Sequence, residues 1–372
     1  MKKIFINGLS SRSAGGKSIL FNLLLEIHNS NNEYTFYVAV HELDEKFPIG
    51  KNINYIVRPI KNSISILIES LILLPRLIKK NQFDLIMNLS DIPIRARKQI
   101  FLFDWAYALY PEKRIWGRFV LSEFIHRRLK IIIFKKMKKY IDIIIAQTND
   151  SADLLKKKYG FTSVEVIPNS FSSTKYKIDK KINLNISEGY TLLCLSRYYS
   201  HKNLEIFLSL GKIIYKEELD IKILLTISGN HSKGARKLLE KIDQLGLKEI
   251  IINIGEVPHE QLEYLYKNTN GLIMPTLLES FSGTYLEAMY FRRPIFTSKL
   301  PFAIEVCGKA AEYFNPNDAN DILSSIKKIK NNKNLEKNLI IEGSKIISNM
   351  PNWSKNFSSF LKIFNKYLES SK

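Results

Sequence analysis

Short apolar runs rich in β-branched residues alternate along the chain with longer segments of helical period. This alternation predicts parallel sheets covered by helices on both faces. The candidate strands of the first half are KIFIN, YTFYVAV, NYIVRPI, FDLIMNL, QIFLFD, IDIIIAQ and VEVIP, and those of the second half are TLLCLS, KILLTIS, IIINIG, GLIMP, PIFTS and AEYF. The pattern therefore predicts an α/β fold with two doubly wound sheets.

A polar stretch without hydrophobic periodicity, SFSSTKYKIDKKINLNISEG, separates the two halves and has the composition of a linker. We expect a first domain over residues 1–170, a linker over 171–189 and a second domain over 190–350. An amphipathic helix over 353–372 follows. Ligands of doubly wound sheets bind at the strand ends, so the cleft between the two domains is the expected site.

Composition narrows the class of protein. The chain has 372 residues, enough for two domains, and its 45% apolar content is ordinary for a globular protein. Its net charge of +20 favours an anionic partner.

Cys194 and Cys307 lie in apolar stretches and are expected to be buried thiols in a reducing compartment. The N-terminus resembles a first strand rather than a signal peptide. The most apolar long stretch, residues 63–78, is interrupted by charges and a proline, so no membrane span is predicted.

The strongest motif is PTLLESFSGTYLEAM, in which a strand leads through small residues into a helix at about Thr284. The amides of Ser282, Gly283 and Thr284 would then be unpaired donors at a helix N-terminus, which suits phosphate oxygens. Glu279 and Glu287 flank the loop, and carboxylates accept hydrogen bonds from vicinal hydroxyls. The alternative is a helix N-terminus that collects acidic residues for its dipole.

The segment ESFSGTYLE resembles the Glu-x7-Glu motif of the family 4 retaining glycosyltransferases, with Ser280 and Ser282 where that family has glycines. The resemblance is good across residues 192–314 and looser before them. It implies two Rossmann-like domains facing across a cleft (the GT-B fold), with the second domain holding a nucleotide-sugar donor and the last helix crossing back to the first. It also implies transfer of a hexose-type sugar to a lipid-linked or saccharide acceptor, with retention and without a metal or other cofactor.

Three further segments follow in the order of the resembled family. SRYYSHKN is similar to the segment that holds the donor diphosphate, which implies that role for Arg197 and Lys202. Two cations beside a departing diphosphate would stabilise its charge without a metal. The alternative for either residue alone is a solvated surface charge. LLTISGN and INIGEVPHEQLEYLY resemble the next two strand ends, which implies donor contacts at Gly229 and, for the nucleotide base, near Val257.

The first loop, NGLSSRSAGGKS, places Gly15 and Gly16 just before the first predicted helix, where backbone can approach a ligand closely. In the resembled family a glycine pair here lies against the donor. The ending GGKS also resembles a P-loop, which would make the chain a nucleotide-binding protein of another class. That motif requires a glycine five positions before Gly16, where Ser11 stands.

Asp104 ends the candidate strand QIFLFD at the position where the resembled family commonly has a histidine. It is the candidate residue for accepting a hydrogen bond from a sugar hydroxyl or for positioning the acceptor nucleophile. A purely structural aspartate that caps the turn before Pro111 is the alternative. His126 and His201 lie at no metal-ligand spacing, and we expect both to be non-catalytic.

Residues 113–139 contain ten Lys or Arg and one acid, Glu123, with aromatic and aliphatic residues between them. A basic amphipathic helix of this kind indicates an anionic membrane surface as the partner. The alternative is that the apolar side packs on the sheet and only basic groups meet solvent. No nucleic-acid-binding pattern is present, and nucleic acid is not expected as a partner.

These features predict a cytoplasmic enzyme held peripherally at the inner face of the cell membrane, in lipopolysaccharide, O-antigen or capsule biosynthesis. The competing classes are a non-catalytic nucleotide-sugar binding module and a nucleic-acid-binding protein.

Overall fold

The computed structural model describes residues 1–12, 14–110, 121–171 and 189–370. These residues form two compact units. The first unit contains the described residues up to 170 together with residues 351–370, and the second contains the described residues from 171 to 350.

The first unit is built on a seven-stranded parallel sheet with the order β3-β2-β1-β4-β5-β6-β7. Its strands are β1 Lys2–Asn7, β2 Tyr34–Val40, β3 Ile53–Val57, β4 Leu85–Asn88, β5 Gln99–Leu102, β6 Ile143–Ala146 and β7 Val164–Val166. The central strands are continuous apolar runs because a parallel sheet with helices on both faces buries both sides of each strand. The order reverses between β1 and β4, which marks the topological switch point of this sheet.

The described α-helices of the first unit are α1 Ala14–Asn29, α2 Ser63–Ile68, α3 Leu74–Asn81, α4 Leu121–Met137, α5 Asn149–Tyr159 and the C-terminal helix Trp353–Ser370. A π-helical turn, Glu69–Leu73, joins α2 to α3, and short 3-10 turns span Ala106–Ala108 and Lys138–Tyr140. No helix in these described parts or in the second unit is both long and apolar enough to cross a membrane.

The second unit has a six-stranded parallel sheet with the order β10-β9-β8-β11-β12-β13. Its strands are β8 Tyr190–Cys194, β9 Ile221–Leu225, β10 Ile251–Asn253, β11 Gly271–Met274, β12 Ile295–Ser298 and β13 Ala311–Phe314. Its helices are α6 Ile206–Lys216, α7 Lys233–Gln244, α8 Leu262–Lys267, α9 Gly283–Tyr290, α10 Pro301–Cys307, α11 Ala319–Lys330 and α12 Lys333–Asn349, with 3-10 turns at Ser200–Lys202, His259–Gln261 and Gly308–Ala310. The switch point lies between β8 and β11.

The C-terminal helix, which we label α13, packs on the core of the first unit. Its apolar face contributes four buried aromatic residues: Trp353, Phe357, Phe360 and Phe364. They repeat at intervals of three and four residues, the spacing that places side chains on one face of a helix. Asn356 ties the start of this helix to the end of the first segment by donating to the Pro168 carbonyl (2.6 Å).

Both predicted sheets are therefore present, and the predicted α/β class with two doubly wound parallel sheets is confirmed. Cys194 and Cys307 are buried free thiols, and burial raises the pKa of Cys194 to about 12.

Candidate functional site

The candidate site of the second unit lies at the carboxyl ends of β8 and β11, the two strands that flank its switch point. Arg197 follows β8, and Glu279 follows β11. The strands are direct parallel neighbours, with Gly271 opposite Leu192, so their carboxyl ends meet at one edge of the sheet. This edge is where ligands of open α/β sheets bind.

Lys202 and Glu279 form an ion pair in which Lys202 Nζ donates to Glu279 Oε1. Their side chains are only 14% and 12% exposed, so both charges are largely removed from water. Thr276 Oγ1 lies 3.4 Å from the same carboxylate oxygen. The structure thus brings together two residues that stand 77 positions apart in the chain.

The loop that carries Lys202 is fixed to the β11 loop by hydrogen bonds to backbone carbonyls. The Leu277 amide donates to the His201 carbonyl (2.7 Å), and Thr276 Oγ1 donates to the same carbonyl (3.2 Å). Asn203, in the left-handed region at φ 58°, is buried and donates to the Pro275 carbonyl (3.2 Å). These contacts hold Lys202 at the strand edge rather than on a free surface.

Arg197 pairs with a carboxylate that comes from a third strand end. Its Nη2 lies 3.1 Å from Glu256 Oε1, just past β10. His231 Nε2 lies 2.5 Å from the same oxygen, and its Nδ1 accepts from the Ser228 amide at 3.4 Å. The hydrogen bond from His231, and then the charges of His231 and Arg197, lower the pKa of Glu256. Arg197 is about half exposed, so it remains accessible to a ligand.

Glu287 lies one turn into α9, as the motif predicts, and Tyr266 holds its carboxylate. The Tyr266 hydroxyl donates to Glu287 Oε2 at 3.0 Å, and the Tyr266 ring is buried and stacked on Phe291 (5.1 Å). A carboxylate fixed in this way keeps its remaining lone pairs in a defined orientation.

The start of α9 is close to the predicted position, at Gly283 instead of Thr284. Ser282 precedes it at φ −108° without a side-chain cap, and its hydroxyl lies 2.8 Å from the Thr284 hydroxyl. No described residue accepts a hydrogen bond from the amides of residues 282–284. Ser280 and Ser282 both have φ outside the left-handed region, so the backbone here does not require the glycines of the resembled family.

Gly229 and Val257, the two other positions at which donor contacts are predicted, have no unusual packing. Gly229 lies in the turn after β9, and a Cβ there would meet only Leu239 Cδ1 at 3.6 Å. Val257 follows β10 and packs half-buried on the core of the unit. Both lie at the carboxyl edge, and neither forms part of the Arg197 or Lys202 ion pairs.

In the first unit the glycine pair lies elsewhere than expected. Gly15 and Gly16 are in the first turn of α1, which begins at Ala14, and not in the loop before it. A Cβ at Gly15 would meet nothing within 4 Å, and one at Gly16 would lie 3.6 Å from Ser11 Cα. The buried apolar positions of the helix begin at Ile19, and the helix extends more than one turn before them, over the glycine pair. Both glycines nevertheless lie at a helix N-terminus, next to the end of β1.

Asp104 is exposed two residues after the end of β5, and Gln147 Nε2 donates to its Oδ1 (3.0 Å). The 3-10 turn that follows, Ala106–Ala108, has Trp105 at its N-cap position and no side-chain cap, so Asp104 does not cap it. Pro111 lies outside the described residues. The Gln147 amide therefore helps to hold the Asp104 carboxylate at the carboxyl edge of the first sheet.

Several residues of the site were missed from the sequence: His231, Glu256, Tyr266, Thr276 and Gln147. Four of them stand within six positions of a strand's carboxyl end, and that position was the available signal. Tyr266 lies on a helix, and its role follows only from tertiary packing. The described residues contain no group of three or more His, Cys, Asp or Glu side chains arranged to hold a metal.

Comparison with known proteins agrees with this geometry. Residues 175–346 match the family model described as "Glycosyl transferases group 1". The chain carries a glycosyltransferase group 1 domain. It is 25% identical over 244 residues to the O-antigen chain mannosyltransferase RfbU of Salmonella typhimurium, which covers 64% of this chain and 62% of that protein. It is also 23% identical over 198 residues to mannosylfructose-phosphate synthase of Agrobacterium fabrum, over 48% and 42% of the two chains. The chain thus spans less than two thirds of these curated relatives.

Solved structures of low sequence identity share the fold. Sucrose-phosphate synthase from Thermosynechococcus elongatus superposes with a TM-score of 0.77 at 14% identity, over 100% of both chains. Anabaena Alr3699/HepE in complex with UDP-glucose gives 0.73 at 14% identity, over 98% of this chain and 100% of that one. WaaG, a glycosyltransferase involved in lipopolysaccharide biosynthesis, gives 0.72 at 12% identity over 96% and 98%. The fold is GT-B, with two Rossmann-like domains.

Proposed function

We propose that this glycosyltransferase group 1 protein transfers a hexose-type sugar from a nucleotide-sugar donor to a lipid-linked or saccharide acceptor. The observation that carries the proposal is the convergence of Arg197, Lys202, Glu279 and Glu287 on the carboxyl edge of one sheet at its switch point. The similarity to a mannosyltransferase and to the fold of a protein solved in complex with UDP-glucose supports a sugar donor of this class.

Each of these side chains has a distinct task in the proposed reaction. The bond between the anomeric carbon and a diphosphate oxygen breaks, and negative charge collects on the departing diphosphate. Arg197 and Lys202 would stabilise that charge, together with the amides at the start of α9. Glu287 would accept hydrogen bonds from the ribose hydroxyls, and Glu279 would hold Lys202 and face the transferred sugar.

The proposal includes retention of anomeric configuration and independence of metals. Two cations can supply the charge stabilisation that a metal supplies in other transferases, and this supports a metal-free mechanism. The acceptor hydroxyl oxygen forms the new bond to the anomeric carbon, and its proton leaves to solvent or to a nearby base. Asp104 is proposed to bind the acceptor or the transferred sugar.

The experiment starts from a thermal-shift screen of nucleoside diphosphate sugars, beginning with those of mannose and glucose. A tight ligand raises the melting temperature by mass action. Hydrolysis of the donor is then measured without an acceptor, because an enzyme should hydrolyse it slowly and a binding module should not. NMR of the freshly formed product reads its anomeric configuration, and an inverted product would refute retention.

Replacing Arg197 by Ala should lower turnover more than affinity for the free nucleoside, because its charge opposes one that develops as the diphosphate departs. Lys202→Met is best tested together with Glu279→Gln, because Lys202→Met alone leaves a largely buried carboxylate without its partner. If EDTA abolishes transfer and magnesium restores it, the metal-free part of the proposal is wrong.

We also propose that the protein binds the inner face of the cell membrane through α4, in lipopolysaccharide, O-antigen or capsule biosynthesis. Ile131, Phe134 and Met137 of this helix are buried against the unit. An opposite stripe carries exposed apolar and basic side chains: Leu121, Ile125, Arg128, Leu129, Ile132, Lys135 and Lys136, followed by Lys139. Apolar side chains flanked by cations suit an anionic lipid surface.

Some basic residues of the predicted stripe are engaged with the protein. Arg127 pairs with Glu123 (2.6 Å) and lies over the Tyr107 ring (3.6 Å). Lys130 pairs with Asp91. Residues 113–120, the first part of the stripe, lie outside the described residues. The alternative in which only basic groups meet solvent is wrong for α4, because four of its large aliphatic residues are exposed.

A further inference from the structure

A second exposed apolar stripe lies in the first unit, on the helical segment that runs through α2, the π-helical turn and α3. Ile64, Ile68 and Ile72 are exposed by 67%, 43% and 44%. Aliphatic side chains of this size are usually buried, and three in one row are not the scattered exposure of an ordinary surface. All of this segment belongs to the described residues.

The three isoleucines are aligned by the irregularity of the helix. They stand four residues apart, and in a regular α-helix each such step rotates a side chain by roughly 40° beyond a full turn. The π-helical turn Glu69–Leu73 is wider, so its residues rotate less and the drift is partly reversed. The next positions at the same spacing are Arg76 and Lys80.

The opposite side of the segment is fixed to the protein, so the stripe cannot simply turn inward. Glu69, Ser70 and Leu74 are buried. Glu69 Oε2 accepts from Arg58 Nε at 2.7 Å, and the Ser70 carbonyl accepts from the Arg95 amide at 3.0 Å. Turning the isoleucines inward would break this partly buried ion pair.

The exposed charges of the segment all have one sign. Lys61, Arg76, Lys79 and Lys80 are exposed, and the single acid between residues 61 and 80 is the buried, paired Glu69. An apolar stripe with cations at its ends, and with no exposed anion, is complementary to an anionic lipid surface. A protein partner of mixed charge would find no such match.

We propose that Ile64, Ile68 and Ile72 insert into the headgroup–acyl boundary of an anionic membrane, with Arg76, Lys79 and Lys80 on its headgroups. This second membrane contact rests on the proposed membrane-bound function and adds a separate apolar anchor to the contact of α4. Two separate attachments would restrain the orientation of the first unit on the surface. One attachment would leave the unit free to tilt.

The first test is flotation of the full chain with vesicles of phosphatidylglycerol and phosphatidylcholine. Ile64→Ser, Ile68→Ser and Ile72→Ser combined should reduce partitioning by at least about tenfold, and the loss should persist at high salt because apolar burial is not screened. The matched control replaces three exposed apolar residues of the second unit, Tyr215, Ile304 and Ile341, by serine. The control variant should float like the wild type.

The second test reads insertion at one position. Both native cysteines are buried, so Ile68→Cys provides a selective site for an environment-sensitive fluorophore. Its emission should shift to shorter wavelength with anionic vesicles, and lipids brominated in the acyl chain should quench it. A fluorophore on Tyr215→Cys should show neither change.

Three results would overturn the proposal. These are equal flotation of wild type and the isoleucine variant, an Ile68 fluorophore that stays in water, and a wild-type dimer that the isoleucine substitutions convert to a monomer without vesicles. The last would assign the stripe to a second copy of the chain. Donor hydrolysis and transfer to a short soluble acceptor are separate readouts. If they are absent while the fluorophore inserts, the proposed enzyme activity fails and the membrane contact stands.

Discussion

Arg197 is the residue whose surroundings say most about the proposed donor site. Its guanidinium already has a carboxylate partner, Glu256, which also accepts from His231. A donor diphosphate that approaches Arg197 must therefore compete with Glu256. Since both side chains of the Arg197–Glu256 pair are about half exposed, the pair itself is weak.

Glu256→Gln should therefore strengthen donor binding. Removal of a competing charge that stabilises an exposed pair by up to about 1 kcal/mol corresponds to a gain of up to about fivefold in affinity. Titration calorimetry with the nucleoside diphosphate measures it, and Glu249→Gln, an exposed glutamate of the same unit, is the control. A weaker affinity for the diphosphate would mean that Glu256 mainly positions Arg197.

The lowered pKa of Glu256 gives this variant a pH signature. A carboxyl whose pKa is lower in the folded than in the unfolded protein stabilises the fold above its ordinary value of 4.5, and the effect is lost as the pH falls through the folded value. The difference in free energy of unfolding between wild type and Glu256→Gln should be constant above pH 4.5 and shrink below it. Chemical denaturation at several pH values tests this.

Glu287→Ala should weaken donor binding and leave the fold intact. Loss of the hydroxyl contacts should cost about 1–3 kcal/mol, or about 5- to 150-fold in affinity. Glu240→Ala, an exposed glutamate on α7, is the matched control for an acid on a helix of the same unit. An unchanged dissociation constant for the nucleotide sugar would remove Glu287 from the site.

Tyr266→Phe should produce a smaller loss of donor affinity than Glu287→Ala, because it removes only the hydroxyl that orients Glu287.

At the scale of elements, the strands were the most predictable part of this protein. Each apolar run named from the sequence overlaps an observed strand, because buried parallel strands are apolar on both faces. The predicted start of α1, after Gly16, is wrong, because a pair of glycines favours a loop and the observed helix includes both. The π-helical turn had no sequence signal. Nor did the exposure of Ile64, Ile68 and Ile72, since an apolar stretch does not reveal which of its sides is covered.

A buried amide network connects the carboxyl ends of β1 and β4 with the start of β5 in the first sheet. Asn7, at the end of β1, donates to Asn88 Oδ1 at 3.0 Å. Asn88, at the end of β4, donates to Gln99 Oε1 at 2.7 Å, and Gln99 Nε2 donates to the Ile94 carbonyl at 3.0 Å. The three amides are fully buried. Beside them, the hydroxyls of Ser10 and Ser90 join the loops that follow β1 and β4 (2.6 Å).

Asn88→Ala should lower the free energy of unfolding by about 2–4 kcal/mol, because it leaves several buried polar groups without partners. Asn54→Ala is the control, since that side chain makes one long hydrogen bond of 3.5 Å at the edge of the sheet. Equal effects of the two substitutions in urea denaturation would show that the network is not a stabilising unit.

At the scale of the whole molecule, the sequence predicted the fold and the strand ends at which the candidate residues lie, but not how their side chains pair. Glu279 and Glu287 were candidates because they flank a loop of small residues between a strand and a helix, and Arg197 and Lys202 were candidates through the family resemblance of their segment. Two pairings were not predicted: Lys202 with Glu279, and Arg197 with Glu256. They depend on side-chain directions that are set by contacts between loops distant in the sequence. Periodicity contains no information on such contacts.

The net charge of +20 is also a property of the whole chain, and its effect depends on where the cations lie. On α4 and the turn after it, Arg128, Lys135, Lys136 and Lys139 are exposed beside exposed aliphatic residues. Arg127 and Lys138 are engaged with Glu123 and with the Tyr159 carbonyl, and they contribute less to an external surface. The position of Arg128, Lys135, Lys136 and Lys139, rather than the total charge, should decide membrane binding.

Replacing Arg128, Lys135, Lys136 and Lys139 by Gln should weaken flotation with anionic vesicles. At roughly 1 kcal/mol per basic residue near the surface, contact by two of the four lowers partitioning about thirtyfold. The effect should fade with added salt, since charges are screened over roughly 8 Å at physiological ionic strength. The matched control replaces Lys233, Arg236, Lys237 and Lys241 of α7, which removes one arginine and three lysines from an exposed helix of the second unit. Equal losses in the two variants would show that only net charge matters, and α4 would then have no special role at the membrane.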